Sequence, residues 1–184
     1  MSDGAVVLVT GYPATGKSHL ARGLAERLAL PLVTKDDIKE RLADELGTGD
    51  GLWSHRLGQA AFGVLFDHVG VILRAGGSVV AEGNFDPDIA GTILRTMVTA
   101  HDARVVRVVL HLDPDEIVRR YEQRTASGRR HPVHLDAEAL PRLRRTVATP
   151  YVPPDVDGPL IELDAADPSA CDPEVVTRLV RERL

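Results

Sequence analysis

The sequence predicts an α/β fold in which five parallel strands form one sheet with helices on both of its faces. Short apolar runs alternate along the chain with longer segments in which apolar residues recur every three or four positions. Glycine, proline and aspartate separate these segments, and no internal repeat or low-complexity segment interrupts them. Strands that alternate with helices favour a parallel sheet covered on both faces. The length of 184 residues suits one domain, which we expect to extend over 1–184.

The elements of the first half of the chain have clear local signals. Short runs rich in valine predict strands at 5–10, 31–34 and 78–82. Helical periodicity predicts helices at 19–29, 36–46 and 53–74. In the last two helices, apolar residues recur at every fourth position, and glycines at 47–51 and 76–77 mark the points where these helices end.

The second half continues the same alternation. We expect strands at 103–112 and 160–164, and helices at 87–100, 114–126, 138–147 and 173–184. Asp86 and Asp113 stand where the N-caps of two of these helices belong, and Pro114 suits a first helical turn. The polar segment 127–136, rich in arginine and histidine, is expected to be mobile, and we expect a lid over about 124–137.

A glycine-rich loop connects the first strand to the first helix. Residues 11–18 read GYPATGKS, which matches the phosphate-binding pattern G-x-x-x-x-G-K-[ST] in its required strand-to-helix setting. The backbone N–H groups of such a loop surround a phosphate at the N-terminus of the helix. Lys17 is expected to contact the β- and γ-phosphates, and Ser18 to hold Mg²⁺. The nucleotide, ATP or GTP, is expected to contact Gly11, Pro13, Ala14, Thr15, Gly16, Lys17 and Ser18.

Polar side chains follow the second and third strands, at the edge where the carboxyl ends of parallel strands meet. Asp36 and Asp37 are candidates to orient an acceptor hydroxyl and take its proton, with Asp36 preferred; alternatively, one of them caps the next helix. Glu82 is a candidate for the Mg²⁺ shell or a substrate hydroxyl, and the alternative is an ion pair with an arginine. Asn84 is a candidate substrate contact or a turn residue. Lys39 is a candidate phosphate contact unless it is a solvated surface lysine.

Arginines of the predicted lid form a second cluster. Arg120 and Arg124 are four residues apart and therefore share a helix face, and guanidinium groups match phosphate oxygens. A closing segment that carries them, together with Arg130, would neutralise charge on the transferring phosphoryl group and exclude water. The alternative is a solvated basic helix end. His131 and His134 have no third ligand nearby in the sequence, so we do not expect a zinc site.

Composition limits the classes of partner. The formal net charge of -5 and a pI near 5.8 argue against a broad nucleic-acid surface. Cys171 is the single cysteine, which excludes an internal disulfide. The apolar run near the start is too short for a signal peptide or a membrane span. We therefore expect a cytoplasmic protein that does not contact a membrane, either a monomer or a homodimer.

These motifs together resemble the small P-loop kinases. The resemblance rests on the loop 11–18, the pair at 36–37, the segment 82–85 and the run 118–131, and it covers most of the chain. The sequence looks like chloramphenicol phosphotransferase, zeta-toxin-type kinases, gluconate kinase and the kinase domain of polynucleotide 5′-hydroxyl kinases. Small kinases of this kind are also called AAA family ATPases, although nothing in the sequence resembles a ring-forming motor. The resemblance implies a fold like that of nucleoside monophosphate kinases, with an arginine-rich lid.

The resemblance also implies roles for individual residues. The family's aspartate after the second strand, which activates the acceptor hydroxyl, corresponds to Asp36 or Asp37. Two family lid arginines correspond to Arg120, which would stack on the base, and Arg124, which would contact phosphate. The loop that holds the base in the family corresponds to a segment containing Ala165 and Asp167. Many relatives carry aspartate at the position of the glutamate that ends the third strand.

The implied activity is Mg²⁺-dependent transfer of the γ-phosphate of ATP or GTP to a hydroxyl of a small molecule. An antibiotic, a nucleoside or a sugar-like compound fits the family best. The arginine- and alanine-rich, lysine-poor composition suggests a high-GC bacterial gene, a setting in which antibiotic self-resistance occurs. Two alternatives stay open at this point: a polynucleotide 5′-hydroxyl kinase, and a nucleotide-dependent regulatory ATPase that has no acceptor.

Overall fold

Five parallel strands form one twisted sheet at the centre of the molecule, whose computed structural model describes residues 4–184. The strands are β1 (Ala5–Gly11), β2 (Leu32–Thr34), β3 (Val79–Glu82), β4 (Arg104–His111) and β5 (Leu160–Asp164). Their spatial order is β2-β3-β1-β4-β5, and every neighbouring pair is parallel. The predicted five-stranded parallel sheet is therefore confirmed.

Seven helices and one 3₁₀ turn connect the strands in the described part of the chain. They are α1 (Lys17–Leu28), α2 (Lys35–Leu46), α3 (Gly51–Arg74), α4 (Pro87–His101), α5 (Pro114–Ala126), α6 (Asp136–Val147) and α7 (Pro173–Arg181), with the 3₁₀ turn at Pro132–His134. Alternate residues of β1 face opposite sides of the sheet. Val7 and Val9 pack with α1 and α7, whereas Val6 and Leu8 pack with α3 and α4. Helices therefore cover both faces, as the sequence predicts.

Helix α3 is the longest helix and lies along one face of the sheet. Its buried residues include Leu57, Ala61, Leu65, Val69 and Leu73, which recur every four positions and form a single stripe. By length and composition alone, this 24-residue helix is also apolar enough to cross a membrane, a property that core helices of soluble proteins share. In this structure its apolar stripe packs on the sheet.

Four helices begin one or two residues earlier than the sequence indicates: α1 at Lys17, α2 at Lys35, α3 at Gly51 and α6 at Asp136. Helix α2 follows β2 without a loop, and its N-cap is Thr34, whose side chain accepts a hydrogen bond from the Asp37 N–H at 3.1 Å. The alternative in which Asp36 or Asp37 caps this helix is therefore wrong. Helix α3 begins at Gly51 because the Asp50 side chain caps it, so the preceding break is shorter than predicted.

The strand order places the functional loops together. The chain passes from β1 to β2 across β3, and it later returns to the other side of β1 with β4. The order therefore reverses at β1, and ligands of open α/β sheets bind in the crevice at such a point, beyond the carboxyl ends of the strands. The loops after β1, β2 and β3 meet there.

Candidate active site

The loop between β1 and α1 has the backbone of a phosphate cradle. Gly11, Ala14 and Gly16 have φ angles of +138°, +64° and +94°, which turn successive N–H groups towards one side. A Cβ on Gly11 would lie 2.5 Å from the carbonyl oxygen of Leu110, so only glycine fits at this position. The Tyr12 carbonyl accepts from Thr15 Oγ1 at 2.9 Å and from Lys17 Nζ at 2.7 Å, which closes the loop on itself.

Lys17, Ser18 and Glu82 form the polar floor of the site. Ser18 Oγ donates to Glu82 Oε2 at 3.1 Å, joining the start of α1 to the end of β3. Burial lowers the pKa of Lys17, and the Glu82 carboxylate opposes that shift. Burial raises the pKa of Glu82, and Lys17 in turn opposes it. In this poorly solvated site, Lys17 and Glu82 therefore each favour the charged form of the other.

Asp36 occupies the wall opposite this floor. Its Oδ1 accepts from Lys35 Nζ at 3.0 Å, and its Oδ2 accepts from Arg130 Nη2 at 2.6 Å. Burial alone would raise the pKa of the Asp36 carboxyl, but Lys35 and Arg130 outweigh it and hold that pKa well below its usual range. Asp37 points elsewhere: its side chain is 63% exposed, and its nearest cation, Arg22, is 3.9 Å away.

Helix α5 brings Arg120 to the nucleotide side of the pocket. Its Nε donates to Glu116 Oε1 at 2.7 Å, and its Nη2 lies 3.4 Å from the carbonyl oxygen of Ala165. Arg120 thus connects α5 to the loop after β5. This is the loop that the family resemblance assigns to the base.

Arg124 lies one turn further along α5 with unused hydrogen-bond donors. Its guanidinium stacks 4.7 Å from the centre of the Tyr121 ring, and its Nε is 3.7 Å from Asp136 Oδ2. Buried Nε and Nη2 have no hydrogen-bond partner among the described residues. Burial, followed by the Arg130 charge, lowers the pKa of Arg124. Arg124 also lines the cavity beside the phosphate loop, so its guanidinium suits an anionic ligand.

The lid lies against α2. Arg130 donates to Asp136 Oδ1 at 2.9 Å in addition to its bond with Asp36, and His134 Nε2 lies 2.7 Å from Glu40 Oε1. Burial and the Arg130 charge lower the pKa of His134 to about 3, so this imidazole is neutral. His131 Nε2 lies 3.1 Å from Asp44 Oδ1. The segment predicted to be mobile thus makes three side-chain contacts with α2, from Arg130, His131 and His134.

Most of the predicted site residues converge on one cavity of about 340 Å³. The residues that line it are Pro13, Ala14, Gly16, Lys17, Ser18, His19, Lys35, Asp36, Glu82, Gly83, Asn84, Arg120, Arg124 and Arg130. Loop, carboxylates and lid arginines therefore face one another, although they lie far apart in the sequence.

Other predicted site residues lie outside this lining. Thr15 is buried within the loop, and Gly11 lies beneath it. Lys39 is also buried, and its Nζ donates to Ser54 Oγ at 2.7 Å. The Asp167 carboxylate accepts from its own turn, from the N–H and Oγ of Ser169.

Sequence reasoning missed several residues of the site. His19 and Lys35 line the cavity but were not among the predicted contacts. Lys35 could have been predicted, because it directly precedes Asp36, the preferred candidate. Tyr151, which supports the site from outside the cavity lining, could not have been predicted. Its hydroxyl donates to the Phe85 carbonyl at 3.0 Å and bonds Thr10 Oγ1, so it joins β1 to the loop after β3 from a proline-rich loop with no local signal.

Comparison with known proteins agrees with this architecture. Residues 6–150 match the model of the AAA_33 family, described as an AAA domain. A crystal structure from Chloroflexus aurantiacus J-10-fl, named a "putative kinase", is 32% identical, covers 100% of both chains and has a TM-score of 0.88. A gluconokinase from Sinorhizobium meliloti 1021 has a TM-score of 0.57 at 16% identity, over 98% of this chain and 95% of its own. A sugar kinase from Janibacter sp. HTCC2649 has a TM-score of 0.58 at 16% identity, over 97% and 92%. At such identities, the last two show the fold alone.

Curated relatives are much longer than the matched region. Uncharacterized proteins of Mycobacterium tuberculosis and Mycobacterium bovis are 34% identical over 108 residues, which is 54% of this chain and 22% of each relative. The match therefore spans less than a quarter of those proteins. The family match and the Chloroflexus structure each extend over most of this chain, and from them we conclude that the protein belongs to the AAA_33 family of AAA domains and has the fold of the small P-loop kinases.

Proposed function

We propose that this protein is a kinase that transfers the γ-phosphate of ATP or GTP to a hydroxyl group of a small molecule. One observation carries the proposal: Asp36 and the lid residue Arg130 are bonded to each other in the same cavity as the phosphate loop. A carboxylate facing a phosphate site provides what an alcohol acceptor needs, namely an oriented proton acceptor. A nucleotide switch without an acceptor does not need this residue.

On the nucleotide side, the phosphate loop and α5 supply positive charge. The N–H groups around Gly16 and the Lys17 ammonium would hold the β- and γ-phosphates, with Lys17 exchanging its present bond to the Tyr12 carbonyl. The Arg124 guanidinium, which lines the same cavity, would bind phosphate oxygens. Arg120, beside the Ala165 carbonyl, would lie against the base.

The pair formed by Ser18 and Glu82 fits Mg²⁺. Mg²⁺ is held by one or two protein oxygens, while water and substrate phosphates complete its octahedron. A hydroxyl 3.1 Å from a buried carboxylate, next to the phosphate loop, is such a donor set. When bound, the ion neutralises charge on the transferring phosphoryl group. Ser18 would bind it directly, and Glu82 would bind it or orient its water.

On the acceptor side, Asp36 would orient the hydroxyl. Each carboxylate oxygen accepts more than one hydrogen bond, so the bonds from Lys35 and Arg130 leave room for an acceptor O–H. The acceptor oxygen forms a bond to the γ-phosphorus while the bond from that phosphorus to the β,γ-bridging oxygen breaks. The nucleoside diphosphate leaves, and the hydroxyl proton passes to Asp36 and then to solvent. Because the pKa of Asp36 is held low, its main effect is orientation, with proton transfer late in the step.

A small hydroxylated acceptor suits the remaining space. Asn84 lines the cavity with an exposed side chain that can donate and accept hydrogen bonds. Gly83 also lines the cavity, and a Cβ there would crowd the wall, since it would lie 3.3 Å from both Lys35 Cβ and Phe62 Cε1. A gluconokinase and a sugar kinase share the fold, so a sugar-like acceptor is compatible with it. Antibiotics and nucleosides carry similar hydroxyl groups, and antibiotic self-resistance is one setting for such an enzyme.

A mass-gain screen tests the proposal. Hydroxylated antibiotics, nucleosides, sugars and a 5′-hydroxyl oligonucleotide are each incubated with Mg²⁺ and either ATP or GTP. Gain of one phosphoryl group by a small molecule, absent with the K17M variant, is the expected result. Transfer to the oligonucleotide alone would assign the protein as a polynucleotide kinase. Nucleotide turnover that leaves every compound unchanged would instead assign it as a regulatory ATPase.

A further inference from the structure

Lys39 is a buried cation that has no counter-ion in contact with it. Only 6% of this residue is exposed, and its Nζ donates to a neutral group, Ser54 Oγ on α3, at 2.7 Å. Among the ion pairs of residues 4–184, none includes Lys39. Lysines are rarely buried unless a partner compensates for the lost hydration. The position of Lys39 therefore needs a reason other than helix packing.

The bond to Ser54 continues into the lid. The Ser54 hydroxyl donates its proton to the Val133 carbonyl at 2.6 Å. Ser54 is 8% exposed and Val133 only 1%, and the Val133 side chain packs with Ala43 and Leu57. A charged donor at one end polarises such a chain and strengthens the bond at the other. The chain of hydrogen bonds thus runs from α2 through α3 to the lid turn.

The lid turn carries the residue that contacts Asp36. Val133 is three residues from Arg130, whose guanidinium bonds both Asp36 and Asp136. The 3₁₀ turn at Pro132–His134 has a compact, fixed geometry. When the Val133 carbonyl is fixed, the path of the chain back to Arg130 is fixed as well.

We propose that Lys39 is a positioning residue that acts through Ser54 to hold the lid turn closed and thereby keeps Arg130 on Asp36. The effect of Lys39 on catalysis rests on the proposed kinase function, whereas its effect on the position of the lid does not. Lys39 itself does not line the cavity. Its role would therefore be to join the acceptor side of the site to the lid.

The protonation state of Lys39 gives this role a specific signature. Burial and the charges of Lys35 and Arg130 lower the pKa of Lys39, while the carboxylates of Asp36 and Asp136 oppose that shift. The resulting pKa is about 8. Above that pH the chain of hydrogen bonds loses its charged donor. The lid should therefore loosen as the pH rises through 8.

Hydrogen exchange of the full-length protein tests the proposal without any substrate. We expect K39M and S54A each to raise the exchange rate of a lid peptide over 129–137 at least tenfold at pH 7, while exchange of 60–74 in α3 is unchanged. The matched control is R41M, because Arg41 is exposed on the same helix and pairs only with Glu45. After correction for intrinsic exchange, lid exchange of the wild type should rise through pH 8, and that of K39M should not.

Combining the two substitutions tests whether they break the same chain. The K39M/S54A double variant should exchange no faster than either single variant, because residues of one network are not additive. If K39M does not fold, S54A decides alone. Unchanged lid exchange in the folded variants would overturn the proposal, even if transfer were lost, since Lys39 would then contact the substrate. Once an acceptor is identified, K39M should lower kcat by a larger factor than it raises the KM for nucleotide.

Discussion

Replacing Asp36 with asparagine separates its proposed role from that of its neighbour Asp37. Orienting the hydroxyl and accepting its proton late in the step together contribute about 10²- to 10⁴-fold, or roughly 2.7–5.4 kcal/mol of barrier. Asparagine keeps one acceptor oxygen but turns an N–H₂ donor towards Lys35 or Arg130, which contact both carboxylate oxygens at 3.0 and 2.6 Å. We therefore expect D36N to lower kcat by that factor. D37N should change it less than about twofold, because that side chain is 63% exposed and outside the cavity lining.

Nucleotide affinity should respond to D36N in the opposite direction. Asp36 is a negative charge close enough to affect the pKa of Lys17, so its removal leaves the phosphate site more positive. We expect the Kd for nucleotide to stay constant or fall by about threefold. Stability at neutral pH should fall by about 1–3 kcal/mol, because the carboxylate whose pKa Lys35 and Arg130 hold low is lost. The assay combines single-turnover transfer with titration of a fluorescent nucleotide. Equal activity of D36N and D37N, with both near the wild type, would refute the assignment of Asp36 as the hydroxyl-orienting group.

Other variants address the loop and the lid. K17M should lower transfer by at least about 10²- to 10³-fold in the same assay while its thermal unfolding stays cooperative, because Lys17 supplies preorganised positive charge. G11A should destabilise the fold by about 2 kcal/mol or more in urea unfolding, because residue 11 has a positive φ and its Cβ would clash with the Leu110 carbonyl. G58A should stabilise the fold by about 0.5–1 kcal/mol, because Gly58 lies within α3 and a Cβ there would meet open space. The folded-state pKa of His134, about 3, is below its unfolded value, so the unfolded state binds more protons between pH 3 and 6.5. Stability should therefore rise with pH across that window by up to about 1.4 kcal/mol per pH unit, and H134Q should flatten the slope; a slope equal to that of the wild type would contradict the neutral assignment.

The fold was predictable because its signals are local. The strand β1 is a continuous apolar run followed by a glycine-rich turn, and α3 carries its apolar stripe at every fourth position. The errors lie at element ends: α1, α2, α3 and α6 begin one or two residues early, and α7 ends at Arg181 and not at 184. At α2 the capping side chain decides the boundary, because Thr34 caps the helix directly from the end of β2, although the aspartates two and three residues later have the higher cap propensity.

The same detail decides which aspartate enters the site. Successive residues of a helix are rotated by about 100°, so a start one residue earlier turns every side chain by about that angle. With α2 starting at Lys35, Asp36 faces the cavity and Asp37 faces solvent. The sequence places a carboxylate pair after β2, but it cannot say which of the two faces inward until the capping residue is known.

Pairings across long stretches of chain were beyond prediction. Arg130 and Asp36 are 94 positions apart, and Ser54 and Val133 are 79 apart. Arginine-rich segments occur equally as solvated helix ends, so composition alone could not show that this lid lies on α2. Lys39 illustrates the difficulty, because a lysine among charged residues on a helix is usually solvated, yet here packing from α3 and the lid buries it.

The contact between Arg130 and Asp36 links two events that could have been separate. The proposed proton acceptor is held by α2, and the closing segment is held by Val133 and the histidines of its turn. Because one guanidinium joins them, Asp36 has its second cation only when the lid is closed. In an open state, the γ-phosphate would be exposed to water while Asp36 had only Lys35 to orient it. Water would therefore meet a site in which the lid charge is missing and the base has lost one of its two cations, which disfavours hydrolysis relative to transfer to the intended alcohol.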